Sequence, residues 1–79
     1  MVFLKNILKT DNKISCNYSP ENTKEVGFVE VDIETRNYIK KETTKYDSGS
    51  DSYVSKVRFK LLDLAKMDKI PTESRVVWY

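Results

Sequence analysis

Apolar and polar residues alternate most regularly between Val26 and Ile33. Successive side chains of a β-strand point to opposite faces, so this segment places Val29 and Val31 on one face and Phe28 on the other. Acidic residues share the face of Phe28. The pattern predicts a strand with one face in the core and one face toward solvent.

A second region of alternation lies on both sides of Asp11 and Asn12. These two residue types tolerate the left-handed backbone conformation that a two-residue hairpin turn requires. The chain is therefore expected to fold back at this point as a β-hairpin. The turn predicts three cross-strand pairs, which are Leu8 with Ser15, Lys9 with Ile14 and Ile7 with Cys16.

A fourth strand is predicted after the segment Glu34-Thr35-Arg36. A connection through these residues places Glu30 opposite Lys40, and acid opposite base stabilises a strand pair. The same register places Val31 opposite Ile39. Asn37 tolerates a positive φ better than Arg36, which leaves open a register shifted by one residue.

The period of the pattern changes from two to 3.6 after the polar segment 47–51, which predicts an α-helix that extends to about Met67. Ser50 or Asp51 is suited to cap its start, and Pro71 prevents its continuation. The helix has one apolar stripe, formed by Val54, Val57, Leu61, Leu64 and Ala65. Only this stripe requires burial.

A last strand is predicted at Arg75–Tyr79, where apolar residues fall on both faces. The expected fold class is α+β: a mostly antiparallel sheet of about five strands, in the order β-β-β-β-α-β, with one amphipathic helix on one face. Residues 1–79 are expected to form one small domain. The pattern leaves open where the last strand inserts, including a parallel pairing through a right-handed crossover.

Fourteen basic and twelve acidic residues give a net charge of only +2, with the signs interleaved along the chain. Strong attraction to nucleic acid or to a membrane surface is therefore not expected from the total charge. No apolar stretch is long enough for a membrane helix. Cys16 is the single cysteine, which excludes a disulfide within the chain and favours the reducing cytoplasm.

The residues for ordinary enzyme chemistry are missing. Histidine, the commonest general base and metal ligand, is absent. Cys16 is expected on the apolar side of a strand as a buried thiol. Two carboxylate pairs, Glu30 with Asp32 and Asp47 with Asp51, fit a solvated strand face and a helix-capping loop better than a metal site. We expect no enzyme, no cofactor and no metal; a small metal-dependent or thiol-dependent enzyme is the third hypothesis.

The second hypothesis is a weak binder of single-stranded nucleic acid. Exposed aromatic rings beside basic side chains hold single strands by stacking and charge. Tyr38 would supply the ring and four basic residues the charge: Lys40, Lys56, Arg58 and Lys60. Acidic residues on the same sheet face oppose this interpretation.

The leading hypothesis is a non-catalytic interaction module. One helix covers only one face of the sheet, yet apolar residues are predicted on the other face, on the outer side of the helix and on the last strand. These candidate interface residues are Leu4, Leu8, Phe28, Tyr38, Phe59, Val77 and Tyr79. The expected partner is a second copy or another protein, bound through the uncovered sheet face or an edge strand.

Overall fold

The first four strands of one antiparallel sheet follow one another through hairpin connections, and a helix connects the fourth strand to the fifth. The computed structural model describes residues 1–21, 23–47 and 52–77. The elements are β1 (Val2–Thr10), β2 (Lys13–Pro20), β3 (Gly27–Asp32), β4 (Tyr38–Glu42), a 3-10 turn (Lys45–Asp47), α1 (Ser52–Leu64) and β5 (Ser74–Val76). The strands lie side by side in the order β4-β3-β2-β1-β5. The predicted α+β class, with one helix on one face of the sheet, is confirmed.

The β1–β2 hairpin turns at Asp11 and Asn12, and the predicted pairs Leu8–Ser15 and Lys9–Ile14 are confirmed. The pairing is then interrupted by a bulge between Lys5 and Leu8, beyond which Lys5 lies opposite Asn17. The predicted pair of Ile7 with Cys16 does not form, because Ile7 lies within this bulge. A bulge adds one residue to its strand. Each residue of β1 before the bulge therefore points to the face opposite to the one that regular alternation predicts.

Asn6 adopts the backbone conformation that makes the bulge possible, with a φ of 56°. Asparagine tolerates positive φ better than most residues. Its side-chain amide donates a 3.0 Å hydrogen bond to Oδ1 of Asn17 on β2. The backbone N–H of Ile7 turns outward and donates to the carbonyl oxygen of Thr72, at 3.0 Å.

The bulge makes the predicted position of Leu4 wrong. Leu4 was expected on the uncovered face, but it is fully buried in the core beneath the helix. Phe3 takes the place on the uncovered face instead. Leu8, which follows the bulge, stays on that face and is 60% exposed.

The turn between β3 and β4 departs from the predicted register at one position. Glu30 pairs with Lys40 as predicted, but an irregularity follows and Val31 lies opposite Tyr38 instead of Ile39. Tyr38 therefore lies on the helix-covered side and packs against the core. Its predicted place on the uncovered face is wrong, because a register irregularity exchanges faces as a bulge does.

Arg36 supplies the positive φ of this turn, at 67°. Oδ1 of Asp32 accepts hydrogen bonds from the backbone N–H groups of Glu34 and Thr35, both at 2.9 Å. These contacts hold the chain in a tight turn before Arg36. The sequence suggested Asn37 as the alternative position for this conformation, and the structure selects Arg36.

The helix covers the sheet with the predicted stripe: Val54, Val57, Leu61, Leu64 and Ala65 are all buried. They pack on strand residues that include Val2, Leu4, Ile14, Cys16, Val29 and Val31. Both predicted capping residues, Ser50 and Asp51, lie outside the described residues. The start of the described helix is held by Asp47, whose Oδ1 accepts the N–H groups of Tyr53 and Val54, both at 2.8 Å.

Strand β5 pairs antiparallel with β1 at the edge of the sheet opposite β4, with Val2 facing Val76. It runs in the same direction as β4, but three strands separate the two, so the parallel pairing left open by the sequence does not occur. The predicted strand extended to Tyr79, which lies outside the described residues. The helix thus connects one edge of the sheet to the other. No helix in the described part of the chain has the length and hydropathy to span a bilayer.

Candidate functional site

The sheet face without a helix, called the open face, is defined by the cross-strand register. Residues directly opposite each other on neighbouring strands point to the same face. The open face consists of Phe3, Lys5, Leu8 and Thr10 on β1; Lys13, Ser15, Asn17 and Ser19 on β2; Phe28, Glu30 and Asp32 on β3; Lys40 and Glu42 on β4; and Arg75 on β5.

The ring of Phe3 is the most prominent apolar feature at one end of the open face. Phe3 is 38% exposed and lies between Ser19 on β2 and Arg75 on β5. Val26, just before β3, is 65% exposed and lines a depression together with Phe3. Two apolar side chains therefore remain accessible at this end of the face, and Leu8 is exposed toward the other end.

Surface depressions meet around Phe3 and Lys5. One is lined by these two residues together with Glu73, Ser74 and Arg75 on the β5 side. Another lies on the β2 side and includes Asn17, Ser19 and Val26. Phe3 therefore lies between two concave surfaces. Such concave surfaces can receive side chains of a partner protein.

Charges on the open face are divided between its two halves. The half formed by β1 and β5 presents two bases, Lys5 and Arg75, and one acid, Glu73, which directly precedes β5. The half formed by β3 and β4 presents three acids with one base, namely Glu30, Asp32, Glu42 and Lys40. The open face is thus mainly basic on one side and mainly acidic on the other, with Lys13 on β2 between the two halves.

The two bases beside Phe3 are not neutralised by ion pairs within the described residues. The ion pairs found there join the N-terminal amine to Glu21, at 3.6 Å, and Lys40 to Glu42, at 3.3 Å. Lys40 also lies over the ring of Phe28, 5.7 Å from its centre. Lys40 therefore already has partners on its own sheet, whereas Lys5 and Arg75 keep their charges available for a partner molecule.

The candidate interface residues do not form a single surface. Leu8 and Phe28 lie on the open face as predicted, but Leu4 and Tyr38 do not. Phe59 is 55% exposed on the helix, on the other side of the sheet. Val77 follows β5 and is 49% exposed, and Tyr79 lies outside the described residues.

Four residues of the open face and its rim were missed from the sequence: Phe3, Lys5, Val26 and Arg75. A signal for the first two was present in the spacing of buried apolar residues along β1. Val2 and Leu4 are two residues apart, but the next buried residue, Ile7, is three residues on. This extra residue in an alternating pattern, next to Asn6, is typical of a bulge.

The candidate nucleic-acid residues are spread over different parts of the molecule. The guanidinium carbon of Arg58 lies 5.2 Å from the ring centre of Tyr38 and 4.9 Å from that of Phe59. Its Nη1 donates a 2.8 Å hydrogen bond to the carbonyl oxygen of Arg36. Arg58 and Tyr38 therefore hold the β3–β4 turn against the helix, and the Tyr38 ring is already covered by a cation.

The other basic candidates do not join Arg58. Lys40 points to the open face, on the opposite side of the sheet from Tyr38. Lys56 and Lys60 are each two residues from Arg58, and residues two apart on a helix point about 200° from each other. No common surface therefore presents Tyr38 with these lysines.

Cys16, Asp32 and Asp47, three of the titratable groups considered as candidates for chemistry, are used in the fold, and Asp51 lies outside the described residues. Cys16 is fully buried, and burial raises the pKa of its thiol to about 12. The carboxylate of Asp32 accepts hydrogen bonds from backbone N–H groups of the β3–β4 turn. Asp47 is 2% exposed, and its Oδ2 accepts hydrogen bonds from the hydroxyl groups of Tyr18 and Thr44, at 2.8 and 2.9 Å. Within the described ranges, no group of three potential ligands could hold a metal ion.

No protein-family model, curated protein or solved structure matches the chain.

Proposed function

We propose that this protein is a non-catalytic interaction module whose open face binds a protein partner. The observation that carries the proposal is the exposed ring of Phe3 between Lys5 and Arg75, two bases without an ion-pair partner in the described chain. Aromatic and arginine side chains are enriched in protein interfaces and contribute much of their binding energy.

A protein fits this surface better than a nucleic acid. Glu30, Asp32 and Glu42 lie on the same face and would repel a phosphate backbone that crosses the sheet. The net charge of +2 adds little long-range attraction. A protein surface can instead place acids against Lys5 and Arg75 and apolar side chains against Phe3.

We place the module in the cytoplasm, as part of the same proposal. Cys16 is the single cysteine of the chain, it is buried in the core, and no disulfide contributes to the fold. A reducing compartment suits this arrangement.

The experiment compares two variants that each remove an exposed ring. The affinity-tagged chain is captured from cells that express it, after brief cross-linking, and bound proteins are quantified by mass spectrometry. We expect Phe3→Ser to lose the partner and Phe59→Ser, whose ring lies on the other side of the sheet, to retain it. Circular dichroism confirms that both variants fold.

Two outcomes contradict the proposal. A partner that Phe3→Ser and Arg75→Glu both retain does not use the open face. Capture that disappears after nuclease treatment would indicate nucleic acid as the ligand. Capture of an untagged copy of the chain itself counts as a protein partner.

A further inference from the structure

We propose that the partner is a second copy of this chain, packed open face to open face across a two-fold axis that runs parallel to the strands. This inference rests on the proposed function and names its partner. It is carried by the division of charge on the open face, with bases on the β1 and β5 side and acids on the β3 and β4 side.

The charge patterns of two copies are complementary when one particular rotation relates the copies. A two-fold axis along the strands, above β2, brings the β1 and β5 half of one copy over the β3 and β4 half of the other. Lys5 and Arg75 of each copy then face the acidic half of its partner. A two-fold axis across the strands would instead bring each basic half against the other basic half, which is repulsive.

The same rotation brings the apolar residues of the two faces together. Lys5, Asn17 and Phe28 lie opposite one another in one cross-strand row, and Phe3 is two residues before Lys5 on β1. Since β1 and β3 flank β2, the rotation exchanges their positions, and Phe3 of each copy lies beside Phe28 of the other. Two rings from each copy thus lie together at one end of the interface.

The area of the face suits a dimer of low affinity. Five strands that are spaced about 4.8 Å apart and average about 20 Å in length give a plane of roughly 500 Å². Standard stable interfaces bury about 800 Å² for each partner, so this face is smaller than that and corresponds to a weak or transient dimer. We expect a dissociation constant on the order of micromolar.

The experiment uses variants with reversed charge on one half of the face. Lys5→Glu with Arg75→Glu makes both halves of the face mainly acidic, and Glu30→Lys with Glu42→Lys makes both halves mainly basic. We expect each double variant to dimerise at least about tenfold more weakly than the wild type, and an equimolar mixture of the two to form a heterodimer. Sedimentation equilibrium measures the wild type, each double variant and the mixture.

A matched control changes the same amount of charge away from the open face. Lys9 lies opposite Ile14, on the helix-covered side of the sheet, and Lys69 lies after the helix and outside the sheet; both are exposed. The variant Lys9→Glu with Lys69→Glu is expected to dimerise as the wild type does. Circular dichroism and thermal unfolding confirm that each variant is folded.

Three results separate the outcomes. A wild type that stays monomeric to about 1 mM, or double variants that do not pair when mixed, overturns the second copy as partner. If that monomer still captures a different protein in a Phe3-dependent manner, the proposed function stands and only the identity of the partner is wrong. If neither self-association nor capture depends on Phe3, both proposals are overturned.

Discussion

The hydroxyl group of Tyr18 on β2 donates a 2.8 Å hydrogen bond to Oδ2 of Asp47, 29 residues further along the chain. The other carboxylate oxygen of Asp47 accepts the N–H groups of Tyr53 and Val54 at the start of the helix. One buried carboxylate therefore joins the sheet to the helix N-terminus. A carboxylate there satisfies N–H groups that lack a partner within the helix.

Replacing Asp47 by asparagine is expected to lower the free energy of unfolding by about 3 kcal/mol. The amide NH₂ would meet N–H or O–H donors wherever it points, so at least one buried donor loses its acceptor. Urea unfolding measures the effect. Asp68→Asn removes the same charge at an exposed position and is expected to change stability by less than about 0.5 kcal/mol. Equal losses in the two variants would contradict this role of Asp47.

The stability that Asp47 provides should depend on pH in the acidic range. Burial, the largest single effect, acts to raise the pKa of Asp47, but hydrogen bonds from Val54, Tyr18, Thr44 and Tyr53 together hold it below its ordinary value of 3.8. The folded protein thus binds the proton less readily than the unfolded chain.

This contribution is complete above the unfolded pKa and is lost as pH falls below about 4, through the lower folded pKa. We expect the wild type to lose stability between about pH 5 and pH 3 more steeply than Asp47→Asn does, whereas Asp68→Asn keeps the steep loss. Urea unfolding across this pH range gives the slopes. Parallel curves for wild type and Asp47→Asn would show that other groups cause the acid sensitivity.

Gly27 allows Tyr18 to reach Asp47. A Cβ at position 27 would lie 2.5 Å from ring atoms of Tyr18 and 2.8 Å from the carbonyl oxygen of Glu42. Because the backbone oxygen cannot move away easily, Gly27→Ala is expected to lower the unfolding free energy by about 1–3 kcal/mol. The neighbouring Val26→Ala, at an exposed position, serves as the control.

A double-mutant cycle tests the connection between Gly27 and Asp47. If Gly27→Ala displaces the Tyr18 ring, part of the Asp47 contribution is already lost, and the effects of Gly27→Ala and Asp47→Asn add to less than their sum. Full additivity would show that the two positions act independently.

Arg36→Gly is expected to stabilise the protein by about 0.5–1 kcal/mol. Arg36 has a φ of 67°, a conformation that is strained for an L-residue and free of strain for glycine. The contact from Arg58 is kept, because it is made to the backbone oxygen of Arg36. Asn37→Gly is the control, since residue 37 lacks a positive φ and glycine there only adds flexibility to the unfolded chain. Thermal unfolding that ranks Asn37→Gly above Arg36→Gly would contradict the assignment.

The sequence predicts the elements of this fold well because they depend on local periodicity. The alternation around Val29, the turn at Asp11 and Asn12, and the stripe that contains Val57 and Leu61 all have the predicted structure. The place of β5 beside β1 could not be predicted in this way, because it depends on how the helix crosses the sheet and not on any residue pattern within β5.

The candidate site was predicted only in part, for a different physical reason. A single bulge at Asn6 decides which residues of β1 reach the open face, so Phe3 replaces Leu4 there while Leu8 keeps its place. Asp47 was interpreted as part of a polar loop, because its burial depends on a hydroxyl group that Tyr18 brings from a distant strand. Such long-range partners leave no trace in local spacing.

The pairing of Val2 with Val76 joins segments that are far apart along the chain. The helix and the rest of the sheet already bring the two segments close together, so β5 is held at the edge mainly by its pairing with β1, and a strand of three residues forms few backbone hydrogen bonds. Strand β5 is therefore expected to detach and return while the rest of the sheet stays folded. Each such opening briefly leaves the outer edge of β1 without a neighbour, so the N–H groups of β1 that point toward β5 exchange with solvent sooner than those that point toward β2.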